Sequence, residues 1–203
     1  MKVELVQATP NAVEFIAKTA SICYDSDPKN PLALVKHLYL NGHHSPFEHI
    51  YFTFKIEGIS RACSHQLVRH RMCSFTQRSQ RYCGEGDFEV VVPNSIYASI
   101  GLYEFNRALT EIKSGYNEML ADLIPKEDAR YILPNACCTD LYLSCNLREL
   151  IHISNERLCK RAQWEIRELV ERMVDLVDPE LHFMLVPKCK SGRIICISPC
   201  NKK

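Results

Sequence analysis

The stretch at residues 66–82 constrains this chain more than any other, because it carries four arginines and no acidic residue. Clustered cations repel one another, so such a segment is costly unless anions are supplied from elsewhere. A guanidinium presents a planar set of donors that matches phosphate and carboxylate, and the intervening serines and glutamines add further hydrogen-bonding groups. The stretch therefore predicts a site for polyanionic, hydrogen-bonding ligands.

The order of the basic residues restricts how they can bind. Successive residues of a helix are turned by about 100°, so Arg69, His70 and Arg71 would point in different directions and cannot all hold one small anion. We expect a helix that ends near residue 72, followed by a loop at residues 73–81. A solvated basic helix face is the less favoured alternative, because serine and glutamine stand where such faces carry glutamate and lysine. Two ligands are therefore predicted, or one ligand shared between chains.

Local signals elsewhere predict short strands alternating with helices. Strand-like patterns occur at residues 3–6, 49–57, 89–92 and 137–144. Signals that start helices occur at Thr9–Pro10, Asn30–Pro31, Ser60, Asn146 and Gln163. Gly42 is predicted to end a helix and Gly58 a strand. Residues 94–122 predict one long helix whose apolar stripe faces the core.

Composition narrows the class of protein. The 203-residue chain has a net charge of +1, which gives no overall attraction to nucleic acid or to an anionic membrane. Its 11 cysteines are an odd number, and neither a leading apolar run nor a bilayer-spanning segment accompanies them. We expect a reduced, cytoplasmic protein without a membrane segment, in which most cysteines act as small hydrophobes. We expect one domain over residues 1–203, with a poorly ordered Cys- and Lys-rich tail from about residue 188.

Several motifs together resemble one known family. Arg69-His70-Arg71, then Ser74, then Ser79-Gln80-Arg81-Tyr82, is similar to the signature of the flavin-dependent thymidylate synthases, without a gap in spacing. Further similar segments lie at residues 42–49, 129–134, 146–157 and 162–166, so the resemblance covers most of the chain. With the alternating elements, it implies a single-domain α+β fold in which helices flank a twisted, largely antiparallel sheet.

The resemblance also implies an activity, the conversion of dUMP to dTMP. In the family, methylenetetrahydrofolate supplies the carbon, reduced FAD supplies the hydride, and NADPH reduces the flavin. The chain lacks the glycine fingerprint of Rossmann folds, so arginines, histidines and helix ends are expected to hold FAD. A homo-oligomer is implied, a tetramer with active sites shared between chains.

Residue roles follow from matching positions in the family's motifs. Contacts to dUMP are implied for Gln66, Arg69, Gln77, Arg78, Ser79, Gln80, Arg81, Arg130 and Arg157. Contacts to FAD are implied for His43, Ser45, Arg69, His70, Arg71, Gln77, Asn146, Arg148 and His152. Gln77 stands where the family often has glutamate, and its amide cannot act as a base. Arg78 stands where the family usually has an apolar residue.

Arg157 is the implied catalytic residue. A cation beside the pyrimidine favours its N3-deprotonated form and sends electron density to C5. Attack by a cysteine on C6 is the alternative chemistry, and Cys73 would be its nucleophile. The resemblance argues against it, because the family needs no enzyme thiolate. Ser79 has no identifiable base and is assigned a hydrogen-bonding role.

Two other classes of protein compete with this interpretation. A nucleic-acid-binding module could use the basic segment at residues 61–81, although Phe75 and Tyr82 alone make a thin stacking platform. A metal protein could use the histidines of residues 43–49 or the tail cysteines Cys189, Cys196 and Cys200. The histidines lack a matching ligand cluster and the tail lacks a fourth ligand, so no metal is predicted.

Overall fold

The sheet has two interior strands and two edge strands. In the computed structural model, which describes residues 1–193, 196–197 and 200, four strands form a single antiparallel sheet in the order β1-β2-β4-β3. The strands are β1 (Lys2–Ala8), β2 (Tyr51–Ser60), β3 (Ser74–Gln77) and β4 (Cys138–Asn146). The α+β class and the antiparallel sheet predicted from the sequence are confirmed.

The helices lie before, between and after these strands. They are α1 (Ala12–Ser21), α2 (Pro31–Asn41), α3 (Arg61–Leu67), α4 (Asn94–Tyr97), α5 (Gly101–Ala121), α6 (Lys126–Ala129), α7 (Leu147–Arg157) and α8 (Trp164–Asp175). Short 3₁₀ turns cover Ile22–Tyr24, Ser45–His49, Arg130–Ile132, Pro179–Leu181 and Lys188–Lys190. Each helix that the structure describes is too short or too polar to cross a bilayer.

Four of the predicted helix starts are confirmed by their caps. Side chains accept hydrogen bonds from backbone amides in the first turns of α2, α3, α7 and α8, and the capping residues are Asn30, Ser60, Asn146 and Gln163. The start at Thr9 was wrong. Its hydroxyl accepts from the amide of Tyr51 at 2.9 Å, which holds Thr9 beside the sheet, and α1 begins only after Asn11.

The core lies between the sheet and α1, α7 and α8. Phe52, Phe54 and Ile56 point to this side of β2, where they are buried. Gly58 does not end the strand, as the sequence predicted, but lies in a register shift between Ile56 and Ile59 with a φ of 70°. Glycine suits that position because other residues adopt positive φ at a cost.

The central motif folds differently from the prediction. Helix α3 already ends at Leu67, and Ser74–Gln77 is not a loop but the edge strand β3, paired with β4. Arg69, His70 and Arg71 therefore lie in a tight connection between a helix and a strand. The three basic side chains therefore differ in direction because of this connection, and not because they follow one another around a helix.

The long helix predicted at residues 94–122 is two helices, α4 and α5. Tyr116 is the one residue of α5 that is buried, whereas Ile100 is 98% and Tyr103 72% exposed. The prediction that the whole apolar stripe faces the core was wrong for this part of the chain. The strand predicted at residues 89–92 is reduced to a single bridge between Val90 and Cys137.

Candidate functional site

A hydrogen-bonded cluster joins the end of α7 to the central motif. The Nε of Arg157 donates to Nε2 of His70 at 3.0 Å, and its Nη2 donates to the carbonyl oxygen of Gln66 at 3.3 Å. His70 is buried at 5% exposure, and its ring packs edge-on against that of His152. The fold thus brings together four of the residues that the sequence predicted for the site, although they lie on segments far apart in the chain.

The electrostatics of this cluster keep His70 neutral. Burial, followed by the nearby charges of Arg157 and His152, lowers the pKa of His70 to about 4. A neutral ring that accepts at Nε2 carries its proton on Nδ1. That nitrogen lies 3.6 Å from Oε1 of Glu149, whose own pKa is raised by burial. The imidazole therefore lies between Glu149 and Arg157, and it is hydrogen-bonded to the guanidinium of Arg157.

Sequence reasoning missed Glu149, and a weak signal for it existed. The residue stands three positions after the cap Asn146, where a glutamate commonly completes a helix start. In the described chain, His70, Glu149 and His152 form the one group of three potential metal ligands within 4.8 Å. His70 offers no free lone pair to a metal, however, because Nε2 accepts the hydrogen bond from Arg157 and Nδ1 carries the proton. This arrangement disfavours a metal site.

A cavity of about 610 Å³ opens beside this cluster. Asn146, Arg148 and His152, all predicted to contact FAD, line it. Lys188 and Arg193 also line it, so its three basic residues outnumber its acidic ones, Glu48 and Glu149, and its wall is net cationic. A wall of this kind suits a ligand with phosphate groups.

The turn at Ser45–His49 contributes to the same cavity through residues other than the predicted ones. His44 and Glu48 line the cavity, and Glu48 is ion-paired with Arg148. His43 and Ser45 are exposed and lie outside the lining. Nε2 of His44 is buried without a hydrogen-bond partner, and burial, followed by Arg193 and Arg148, lowers the pKa of its ring. An unpaired buried polar atom facing a cavity is typical of a position that a ligand completes.

A second, smaller cavity of about 280 Å³ contains other predicted residues. Gln80 and Arg130 line it together with Arg61 and His65. Gln80 is buried, and its Oε1 accepts from Nη2 of Arg61 at 2.8 Å. Arg130 donates through Nε to a neighbouring carbonyl at 3.0 Å, which leaves its terminal nitrogens free to reach the cavity.

The remaining residues of the predicted substrate loop lie in separate places. Gln77 is held inward, its Nε2 donating to the hydroxyls of Ser64 and Thr139 at 3.1 Å each. Arg78 points away from Gln77 and pairs with Glu85 at 3.2 Å. Successive side chains of a strand point to opposite faces, and this alternation continues one residue beyond β3.

Ser79 and Arg81 complete this loop near the surface. The hydroxyl of Ser79 accepts from the amide of Arg81 at 3.2 Å, and the side chain of Arg81 pairs with Glu127 at 2.7 Å. Arg69 and Arg71 are both exposed, and in the described part of the chain neither guanidinium has a hydrogen bond or an acidic partner. One chain alone therefore does not gather all the predicted contacts around one cavity.

Comparison with known proteins adds an independent line of evidence. The family model described as thymidylate synthase complementing protein matches residues 4–181. A flavin-dependent thymidylate synthase from Geobacter sulfurreducens is 41% identical over 95% of this chain and 90% of its own length. Another from Pyrococcus abyssi is 49% identical over 66% of this chain and 57% of its own length.

Solved structures with the same fold point the same way. Thymidylate synthase X from Helicobacter pylori, determined with FAD and dUMP, superposes with a TM-score of 0.75 at 24% identity, covering 91% of this chain and 97% of its own. The UMP/dUMP methylase PolB from Streptomyces cacaoi, bound to 5-Br dUMP, gives a TM-score of 0.77 at 25% identity, covering 90% and 93%.

Proposed function

Because this chain belongs to the flavin-dependent thymidylate synthase family, we propose that it methylates dUMP reductively to dTMP. Methylenetetrahydrofolate is the proposed carbon donor, and NADPH reduces the enzyme-bound FAD. The observation that carries the proposal is the orientation of Arg157 by the uncharged ring of His70. The two groups that hold Arg157, His70 and the carbonyl of Gln66, are uncharged, so they do not neutralise the cation that acts on the heterocycle.

Arg157 is the proposed activator of the pyrimidine. Its guanidinium has five N–H donors, and His70 and the carbonyl of Gln66 occupy two of them. The others are available for O4 and N3 of uracil, where a cation lowers the pKa of the N3 proton and raises electron density at C5. Glu149 and His70 act as positioning residues, because they hold the guanidinium without touching the base.

The cationic cavity fits the family's flavin. Arg148 and Lys188 suit a diphosphate, His152 and Asn146 offer further hydrogen-bonding groups, and the unpaired Nε2 of His44 lacks a partner that a ligand can supply. FAD bound here would supply the hydride chemistry that no side chain can perform. The remaining predicted FAD contacts, His43, Ser45, Arg69, His70, Arg71 and Gln77, stay part of the proposal.

The smaller cavity fits the anionic part of the nucleotide. Arg61 and Arg130 converge there beside Gln80, and Arg81 lies on the adjoining loop. Two guanidiniums can bind a phosphate through several charge-assisted hydrogen bonds. Gln66, Arg69, Gln77, Arg78 and Ser79 complete the proposed set of dUMP contacts.

We also propose that the enzyme is a homotetramer with shared active sites. The free guanidiniums of Arg69 and Arg71 point outward, and the apolar residues Ile100, just before α5, and Tyr103, in α5, are exposed on the same chain. Large exposed apolar side chains are typical of an interface between copies. Sedimentation of the active protein tests this, and an active monomer would contradict it.

The alternative of a nucleic-acid-binding module gains little support from the fold. Phe75 packs against the core, so of the two aromatic residues in the basic segment Tyr82 is the exposed one.

All 11 cysteines are free, which fits the proposed location in a reducing cytoplasm.

The proposed activity can be tested on purified protein. We expect the protein to carry oxidised FAD, visible in its absorption spectrum, and to oxidise NADPH faster when dUMP is present. With methylenetetrahydrofolate added, dTMP should form in proportion to NADPH consumed. A colourless protein that also fails to bind added FAD would remove the basis of the proposal.

A further inference from the structure

Four cysteines line one cavity at the end of α7. The cavity encloses about 500 Å³, and its lining contains Cys159, Cys189, Cys196 and Cys200. Cys159 comes from the connection between α7 and α8, whereas the other three belong to the C-terminal segment. The fold therefore supplies the fourth thiol that the tail lacks in the sequence.

These thiols differ from the cysteines of the core. Cys63 and Cys145 are buried among apolar residues, as small hydrophobes are. The four cavity cysteines are half-buried or exposed. Packing in the hydrophobic core therefore does not explain the presence of these four cysteines.

Basic residues outnumber acidic ones around the cavity. Arg157, Arg161 and Lys188 line it, and Glu156 is the single acidic residue in the lining, already paired with Lys188. Thiolate is the form in which cysteine binds metal. A metal bound by four thiolates carries net negative charge, which the same cations offset.

We propose that Cys159, Cys189, Cys196 and Cys200 ligate a metal centre that ties the C-terminal segment to the end of α7. Four thiolates are the donor set of structural zinc sites and of iron–sulfur clusters. The bound group is therefore either a zinc ion or an iron–sulfur cluster, and the two differ in size. Tetrahedral zinc with Zn–S bonds of about 2.3 Å needs sulphur atoms about 3.8 Å apart.

The distances between the sulphur atoms bear on whether zinc or an iron–sulfur cluster binds. In the described part of the chain, no three of these sulphur atoms lie within 4.8 Å of one another. Zinc would have to draw the segment inward, whereas a cluster spans wider ligand separations. Metal analysis decides between them.

The centre has a structural consequence for the neighbouring cavity. Lys188, adjacent to Cys189, lines both the cysteine cavity and the cationic cavity that contains Arg148. Arg193 lies between Cys189 and Cys196 and stacks on the ring of Tyr39 at 5.1 Å. A metal that fixes these cysteines also fixes two cations of the proposed flavin cavity.

The first experiment measures metal directly. Tag-free protein is purified without oxygen in the presence of reductant and desalted, and zinc, iron and acid-labile sulfide are then measured per chain. We expect either about one zinc per chain, or iron and sulfide in similar amounts. No retained metal, and no uptake from Zn²⁺ or from Fe²⁺ with sulfide, would overturn the proposal.

Matched variants assign the ligands. Replacement of each of the four cysteines by serine should remove most of the metal, whereas Cys23→Ser, at an exposed position outside the cavity, should retain it. If the quadruple variant keeps the metal, or if the four residues form disulfides under the same reducing conditions, the proposal is wrong. Metal content does not depend on dTMP formation, so this result is separate from the fate of the proposed function.

A second readout covers variants that fold poorly. Trypsin can cut after Lys188, Lys190 and Arg193, and a bound metal should protect these bonds in the otherwise unchanged chain. Removal of the metal by a chelator should speed this cleavage roughly tenfold or more while cuts elsewhere are unaffected. Equal cleavage with and without the chelator would count against the centre.

Discussion

Nε of Arg157 and Nε2 of His70 lie 3.0 Å apart, and the uncharged imidazole accepts the hydrogen bond from the guanidinium. This contact joins the last residue of α7 to the connection that follows α3. It limits the rotamers of a long side chain whose freedom is otherwise costly to restrict. The first two predictions test this pair from each side.

Arg157→Lys keeps the charge but loses the planar fork, and Arg157→Ala loses both. If Arg157 stabilises the ionised pyrimidine, both variants should lose dTMP turnover, the alanine variant by about 10²–10³. Reduction of FAD by NADPH needs no ionised pyrimidine and should survive better in single-turnover measurements. Normal turnover with only a small loss of stability would instead mean that Arg157 merely caps its helix, a role worth about 0.3–1 kcal/mol.

His70→Asn removes the titrating ring but keeps a side-chain acceptor for Arg157. The ordinary pKa of 6.5 falls to about 4 on folding, so between these values the unfolded chain binds more protons. The contribution of His70 to the free energy of unfolding is therefore complete above pH 6.5 and is lost as pH falls toward 4, by at most about 1.4 kcal/mol per pH unit.

The comparison of variant and wild type isolates this contribution. Glu149, with its raised pKa, gives the opposite slope, and His152 and Glu156 also face the ring, but all three are present in both proteins. Denaturant unfolding from pH 4 to 7 should therefore show a shallower decline in the variant. Identical slopes would mean that His70 does not titrate as described.

Cys73→Ala should leave dTMP formation nearly intact. Cys73 contacts Cys145, and this contact and burial raise the pKa of the Cys145 thiol, which indicates a packing role at the edge of the core. A modest loss of stability is expected, of about 1 kcal/mol. A loss of several orders of magnitude in turnover, with fold and FAD content unchanged, would support a cysteine nucleophile.

Arg148→Gln should weaken FAD binding. Arg148 lines the cationic cavity, and the loss of a charged hydrogen bond to a diphosphate costs about 1.5–3 kcal/mol, or roughly 10- to 100-fold in Kd. Quenching of flavin fluorescence measures the constant. Arg172→Gln, at an exposed position on α8, is the control for a change of one surface charge. Equal Kd values for the two variants would place the flavin elsewhere.

Glu165→Gln should destabilise the fold without direct contact with any ligand. The buried carboxylate of Glu165 accepts from the amide of Ser60 at 2.7 Å and from its hydroxyl at 2.5 Å. Ser60 in turn caps α3, so one acid on α8 fixes the start of the helix that carries Gln66. We expect the free energy of unfolding to fall by about 1–3 kcal/mol in denaturant titrations. An unchanged midpoint would show that the amide replaces the acid fully.

Local signals predicted the parts of this fold that depend on neighbouring residues. Asn30, Ser60 and Asn146 cap helices because a short polar side chain can satisfy amides three residues later. Strand β3 escaped prediction because Ser74–Gln77 becomes a strand only through pairing with β4. Periodicity revealed the apolar stripe at residues 94–122, but it could not reveal what covers that stripe.

The same limit applies to the site. The sequence predicted Arg157, His70, Arg148 and His152, and the fold brings the first two into contact and the last two into one cavity. His44 and Lys188 were missed because their roles depend on which side of a turn faces the cavity. Lys202 and Lys203 of the predicted tail lie outside the described residues.

The order of strands in the sheet also has a consequence for folding of the nascent chain. Strand β4 lies between β2 and β3 and pairs Asn146 with Tyr51 and Ser144 with Ser74. Until the ribosome has released β4, β2 has an open edge and β3 has no partner. Contacts so distant in sequence slow folding and leave strand edges exposed during synthesis. Chaperone demand should therefore fall sharply once β4 emerges.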